Sequence, residues 1–154
     1  MAVGLELAHL FTGKVQYLDQ YREDDDPRIV IPVRFGTSEA PTLAIVDTGG
    51  LWCILDPREA ELVGLDPAHG DQFRNFIIRG ARYDGYIYRI AISIDADEGK
   101  HLTAEGTIFV PRLYDDEEWV LPNFLGLRGF LERIRFAVDP VTNSFYFGAI
   151  DEGD

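Results

Sequence analysis

Asp47 is the residue with the clearest chemical potential in this sequence. It closes the apolar run Thr42-Leu43-Ala44-Ile45-Val46 and is followed by Thr48, Gly49 and Gly50. A carboxylate at the end of a buried strand is costly unless it is hydrogen-bonded or shares a proton. The backbone amides after Asp47 and the Thr48 hydroxyl are the groups placed to supply such bonds, and an acid held this way can act as a general acid or base. The other candidates do less. Cys53, in Leu51-Trp52-Cys53-Ile54-Leu55, has no histidine near it in sequence and reads as a small packing residue. His9, His69 and His101 are scattered and have no cysteine pair, so no zinc-ligand spacing exists and neither metal nor cofactor is expected. Asp115-Asp116-Glu117-Glu118 lacks the alternation and central glycine of a calcium loop and reads as a solvated turn.

The elements that must position Asp47 are short strands. Ile29 to Phe35 is β-branched and ends at Gly36, and the 42–46 strand runs straight into Asp47. Leu51 to Leu55 forms the next strand. Asp56-Pro57-Arg58-Glu59 then starts a short helix, with an N-cap, a proline at the first position and a glutamate at the third. Ala60, Leu62 and Val63 form its buried face and Gly64 ends it. Phe76-Ile77-Ile78 and Tyr86 to Ile94 flank Gly80-Ala81-Arg82-Tyr83-Asp84-Gly85, a hairpin with a glycine-bearing tip that can serve as a lid. Thr107 to Pro111 is a further strand, and Phe124-Leu125-Gly126 precedes a short helix over Leu127 to Arg133. Ile134 to Val138 and Ser144 to Phe147 close the chain as a hairpin around Pro140 and Asn143.

Together, Asp47-Thr48-Gly49 after two β-branched residues, the hairpin, and Phe124-Leu125-Gly126 resemble the retropepsin-like aspartic proteases over roughly residues 27 to 150. The resemblance implies a mostly β fold: a closed or partly open β-barrel-like acid protease lobe with one or two short helices and a flap hairpin. It assigns Asp47 as the catalytic residue, with Thr48, Gly49 and Gly50 as active-site loop and dimer contact. Gly80, Ala81, Arg82, Tyr83, Asp84, Gly85 and Tyr86 form the flap, Tyr83 or Tyr86 supplying its aromatic. Phe124, Leu125 and Gly126 are the second glycine segment. Such enzymes work with two carboxylates too close to ionise together. This chain has no second Asp-Thr/Ser-Gly and no internal repeat, so a second copy is expected to supply the other Asp47 in a symmetric dimer that cleaves an extended peptide. Gly50 stands where the family commonly has alanine, serine or threonine, which is expected to loosen the loop. Leu127-Arg128-Gly129 replaces the family's arginine followed by an acid or amide, leaving Arg128 and Arg133 as nearby cations for that supporting ion pair. Two alternatives follow: a catalytically silent peptide-binding or dimerisation module on the same fold, and an unrelated small β-barrel in which Asp47 is a turn residue.

The composition suits one soluble domain of 154 residues. The net charge of −13 repels phosphate backbones and anionic headgroups, so nucleic acid and membrane are not expected partners, and self-association is expected to strengthen with salt. A single cysteine, no signal-like start and no long apolar run give the expectation of a cytoplasmic protein. The acidic run ending at Pro27 marks residues 1–26 as an N-terminal extension and places the start of the core near Arg28, with residues 151–154 as an acidic tail.

Overall fold

A computed structural model describes residues 9–22 and 25–150; the expected acidic tail, the first eight residues and Glu23 and Asp24 lie outside the described residues. Among the described residues eleven strands follow in chain order: β1 Gly13–Gln16, β2 Val30–Phe35, β3 Thr42–Asp47, β4 Cys53–Ile54, β5 Asp71–Ile78, β6 Ala81–Ile94, β7 Glu98–Gly99, β8 Leu102–Pro111, β9 Asn123–Gly126, β10 Ile134–Asp139 and β11 Ser144–Ala149. One helix, α1 Pro57–Leu62, and 3₁₀ turns at Pro67–His69 and Leu131–Arg133 complete the set, and among the described residues no helix is long and apolar enough to cross a membrane.

Six strands close a barrel in the order β2-β3-β9-β4-β8-β6, and the pairing of Arg34 and Phe35 with Ser93 and Ile92 joins the last strand to the first. The expected mostly β, barrel-like lobe is therefore observed. Closure leaves no free edge among these six strands, while β5, paired only with β6, is an edge strand. Phe35, Ile92, Ile94, Ile108, Leu125 and Leu131 are fully buried. β6 is long enough for two tasks: its C-terminal half closes the barrel, and its N-terminal half pairs with β5 as a hairpin.

Several expectations change. The core begins before Arg28: β1 pairs with β11, and Val15 and Tyr17 are buried with Phe145 and Phe147, forming a second sheet ordered β10-β11-β1-β7. The acidic run obscured this because β1 is only four residues long. The 51–55 strand shrinks to Cys53–Ile54, since the carbonyls of Gly50 and Leu51 accept from Leu127 N and Gly129 N of the segment crossing them. The helix expected over 127–133 is a single 3₁₀ turn, because Gly129 is pressed against the Cys53 amide and the Thr107 carbonyl, a fit no longer side chain permits. Helix α1 is capped as expected, Arg58 N donating to Asp56 Oδ1 at 2.8 Å, and Gly64 follows it at φ +83°. Leu62, however, is 86% exposed, and only Ala60 is buried on the helix.

The hairpin tip also moves. The turn is Arg79-Gly80, both in the left-handed region at φ 49° and 81°, which suits a tight two-residue connection between the paired Ile78 and Ala81. Ala81 to Tyr86 lie within β6. Gly85 is a packing glycine: a side chain there would meet the Val110 carbonyl and the Phe109 ring.

Candidate active site

Asp47 ends β3 in register with Gly126 at the end of β9, the two strands running parallel. Gly49 N donates to Asp47 Oδ1 at 3.0 Å and Gly50 N to the Asp47 carbonyl at 3.1 Å, so the loop turns tightly around a half-buried carboxylate. The passing segment clasps this loop through Leu127 N to the Gly50 carbonyl at 2.7 Å and Gly129 N to the Leu51 carbonyl at 2.9 Å. Gly126 must be glycine, since a methyl group there would collide with the Trp52 backbone. Gly50 bonds through both its N–H and its carbonyl, so hydrogen bonds hold the loop where a side chain is absent. A Cβ at that position would lie 3.1 Å from Asp47 Oδ2, so the glycine keeps one face of the carboxylate open.

Thr48 is exposed, and among the described residues its side chain makes no hydrogen bond. Among the described residues, neither Arg128 nor Arg133 makes an ion pair within the chain. Arg128 is exposed, and Arg133 instead donates to the Glu105 carbonyl at 2.9 Å and to Thr107 Oγ1 at 3.2 Å, tying its turn to β8.

Asp47, Gly49 and Gly50 lie on a cleft of about 850 Å³, within the usual range for ligand sites. Phe124 of the second glycine segment lines it as well. On the hairpin side the lining comes from β5 and the tip, through Phe76, Ile77, Ile78 and Arg79, rather than from Gly80 to Tyr86. A bulge between Phe73 and Phe76, with Asn75 at φ 59° and its N–H on Asp84 Oδ1, breaks the two-residue alternation. Both phenylalanines consequently reach Trp52, Phe76 stacked at 5.3 Å and Phe73 edge-on at 5.0 Å. Arg79 lies 5.3 Å from the centroid of Phe124. Tyr83 turns away, edge-on to Trp119 at 5.4 Å.

Sequence reasoning missed five contributors. Tyr17, Asp19 and Arg28 form a wall of the cleft, brought there by the bridge between Leu18 and Val30, which nothing local announces. Trp52 could have been found as a large aromatic beside the acid motif. Asn123 is buried and fully engaged: its Oδ1 accepts from Asp56 N at 2.8 Å, and its Nδ2 donates to Glu59, Thr42 and the Leu43 carbonyl. Thr42 also donates to Glu59 at 2.6 Å. Glu59 thus binds the starts of β3 and β9 instead of closing a capping box on its own helix.

Cys53 is buried, and desolvation pushes its thiol up to about 12, so it stays protonated and unreactive. His9, His69 and His101 are exposed, and among the described residues no three metal-ligating side chains converge.

No protein-family model and no curated protein matches the sequence. Solved structures do. A retropepsin-like aspartic protease from Rickettsia conorii superposes with a TM-score of 0.59 at 18% identity, over 90% of this chain and 92% of that one. This chain has a retropepsin-like fold. The retroviral protease-like domain of Ddi1 from Leishmania major agrees, with a TM-score of 0.51 at 18% identity over 82% of this chain and 97% of the domain. Within this retropepsin-like lobe the loop after β3 and the Gly126 segment cross at the cleft.

Proposed function

We propose that the protein is an aspartic endopeptidase active as a homodimer, in which the Asp47 carboxylates of two copies share a proton. One activates a water as general base while the other protonates the carbonyl of the scissile bond. The observation that carries this reading is the single Asp47 at the crossing of the β3 loop and the Gly126 segment, open to a cleft roofed by the hairpin. One copy offers one such acid, and the mechanism needs two.

The surroundings of the loop support a partner copy. Among the described residues Thr48 leaves its hydroxyl unused, and the flanking Leu51 and Leu127 are exposed apolar residues at 45% and 39%. A second copy would give the threonine an acceptor and cover the leucines. The cleft's aromatic and aliphatic walls, under an edge strand, suit an extended peptide held by main-chain hydrogen bonds. Closing the hairpin over it would exclude water from all but the reacting position.

The test pairs sedimentation across protein and salt concentration with peptide-library cleavage on the same samples, for wild type and Asp47→Asn. Cleavage that tracks dimer formation, strengthens with salt through screening of the −13 charge on each copy, and disappears in the variant is the expected result. Cleavage retained by Asp47→Asn would sink the assignment. A dimer that binds peptides without cutting them would establish the silent binding module instead.

A further inference from the structure

The hairpin that roofs the cleft leaves the barrel at Asp84. From Gly85 onward β6 pairs with β8, beginning at Gly85 with Pro111, whereas Ala81 to Tyr83 pair only with β5. The Arg112 N–H donates to the Asp84 carbonyl at 2.8 Å, which anchors Asp84 to the end of β8. Its half-buried carboxylate turns to the other strand of the hairpin, where Oδ1 accepts from the Asn75 N–H at 3.0 Å. Opposite Asp84, β5 carries two residues, Arg74 and Asn75, between the pairs Phe73–Gly85 and Phe76–Tyr83. The extra residue takes one amide out of the ladder, and Asn75 adopts φ 59° as that amide meets the carboxylate. In an unbroken strand, residues 73 and 76 would face opposite sides. Here they share a side, and Phe76 stacks on two rings at once: Trp52 at 5.3 Å and 12°, and the fully buried Phe109 at 4.7 Å and 27°. Trp52 follows the Asp47 loop, and its backbone is what Gly126 is pressed against.

We propose that Asp84 is a positioning residue for the cleft: its carboxylate holds the bulge at Asn75, the bulge aims Phe76 at Trp52, and the ring stack sets the hairpin over the Asp47 loop. Asp84 does not line the cleft and Phe76 does, so the acid acts through the ring and not on the peptide. The consequence for catalysis rests on the peptidase reading, whereas the pose of the hairpin does not.

The pose is read from the Trp52 indole resonance in ¹H–¹⁵N NMR, assigned by its loss in Trp52→Phe and sensitive to the ring currents of Phe73 and Phe76. Asp84→Ala is expected to move this resonance, and Asp84→Asn, which keeps an oxygen acceptor at the same place, to restore it. Asn75→Val, which disfavours the left-handed φ without touching Asp84, tests the bulge from its other side and is expected to move the resonance as well. On a cleaved peptide, Asp84→Ala is expected to raise KM about tenfold and to change kcat by less than about threefold, since the peptide is held less well while Asp47 is untouched. Phe76→Ala also raises KM, and adding Asp84→Ala to it changes KM by less than about twofold, because the carboxylate then has no ring to aim. A Trp52 resonance indifferent to both Asp84→Ala and Asn75→Val, a KM that stays at the wild-type value in Asp84→Ala, or full additivity in the double variant overturns the proposal. A wild type that cuts no peptide removes the peptidase reading alone, and the resonance still decides the pose.

Discussion

At the Thr42 end of the β3–β9 pair, the polar side chains of Thr42, Glu59 and Asn123 are satisfied within the chain, whereas at the Asp47 end, among the described residues, the carboxylate takes one bond from Gly49 and the Thr48 side chain takes none. The two ends are joined by four paired positions on the same strands, from Ala44 with Asn123 to Asp47 with Gly126. The difference teaches where rigidity resides: a buried polar network fixes the register of the two strands, and the loop that follows inherits its position while leaving its own groups uncommitted. A site that must be completed from outside has to be held from behind.

The comparison can be broken most severely at the crossing itself. Gly126→Ala forces a methyl group into the Trp52 backbone and is expected to cost about 3 kcal/mol or prevent folding, read from chemical denaturation. Next comes the closed end. Asn123→Ala strands the Asp56 amide and removes a donor from Glu59, for an expected loss of about 2 kcal/mol in the same assay. At the open end Thr48→Val should leave the stability of the isolated chain within about 0.5 kcal/mol. On the dimeric peptidase reading it should nonetheless weaken self-association measured by sedimentation, and unchanged association would remove Thr48 from the interface.

A surface pair distant from both ends sets the floor. Arg34 donates twice to Asp95 at 2.8 Å, and this hydrogen bonding holds the Asp95 carboxyl below its ordinary value. Because the folded state favours the ionised form, the pair's contribution is present above the ordinary aspartate range and is lost as pH falls through the lowered folded value. Thermal melts of wild type and Asp95→Asn should therefore differ slightly at neutral pH and converge in strong acid; the pair is exposed, so the difference is the smallest of the set.

Much of the site was legible because it is local. An acid after a β-branched run, followed by glycines, announces a turn at a strand end, and the Asp56-Pro57 start of α1 is equally self-contained. Gly126 was legible as a residue but not as a contact, since its need for glycine comes from Trp52. Gly80 and Gly85 look alike in sequence; only Phe109 and Val110 distinguish the turn glycine from the packing glycine. Glu59 at the third helical position fits a capping box, yet two strand residues distant in sequence claim it. The N-terminal strand was hidden for the opposite reason, being too short to carry a pattern and dependent on a partner at the other end of the chain.

The network that joins Asn123 to Thr42 spans 81 residues of sequence, and the parallel pairing of Asp47 with Gly126 spans nearly as many. Such contacts repay their loop-closure entropy only once most of the chain between them is ordered, and parallel strands cannot be zipped from a hairpin. β9 lies between β3 and β4, so the crossing exists only when both of those neighbours are paired with it. A chain in which β9 is not yet paired therefore carries the aspartate without the crossing that frames it.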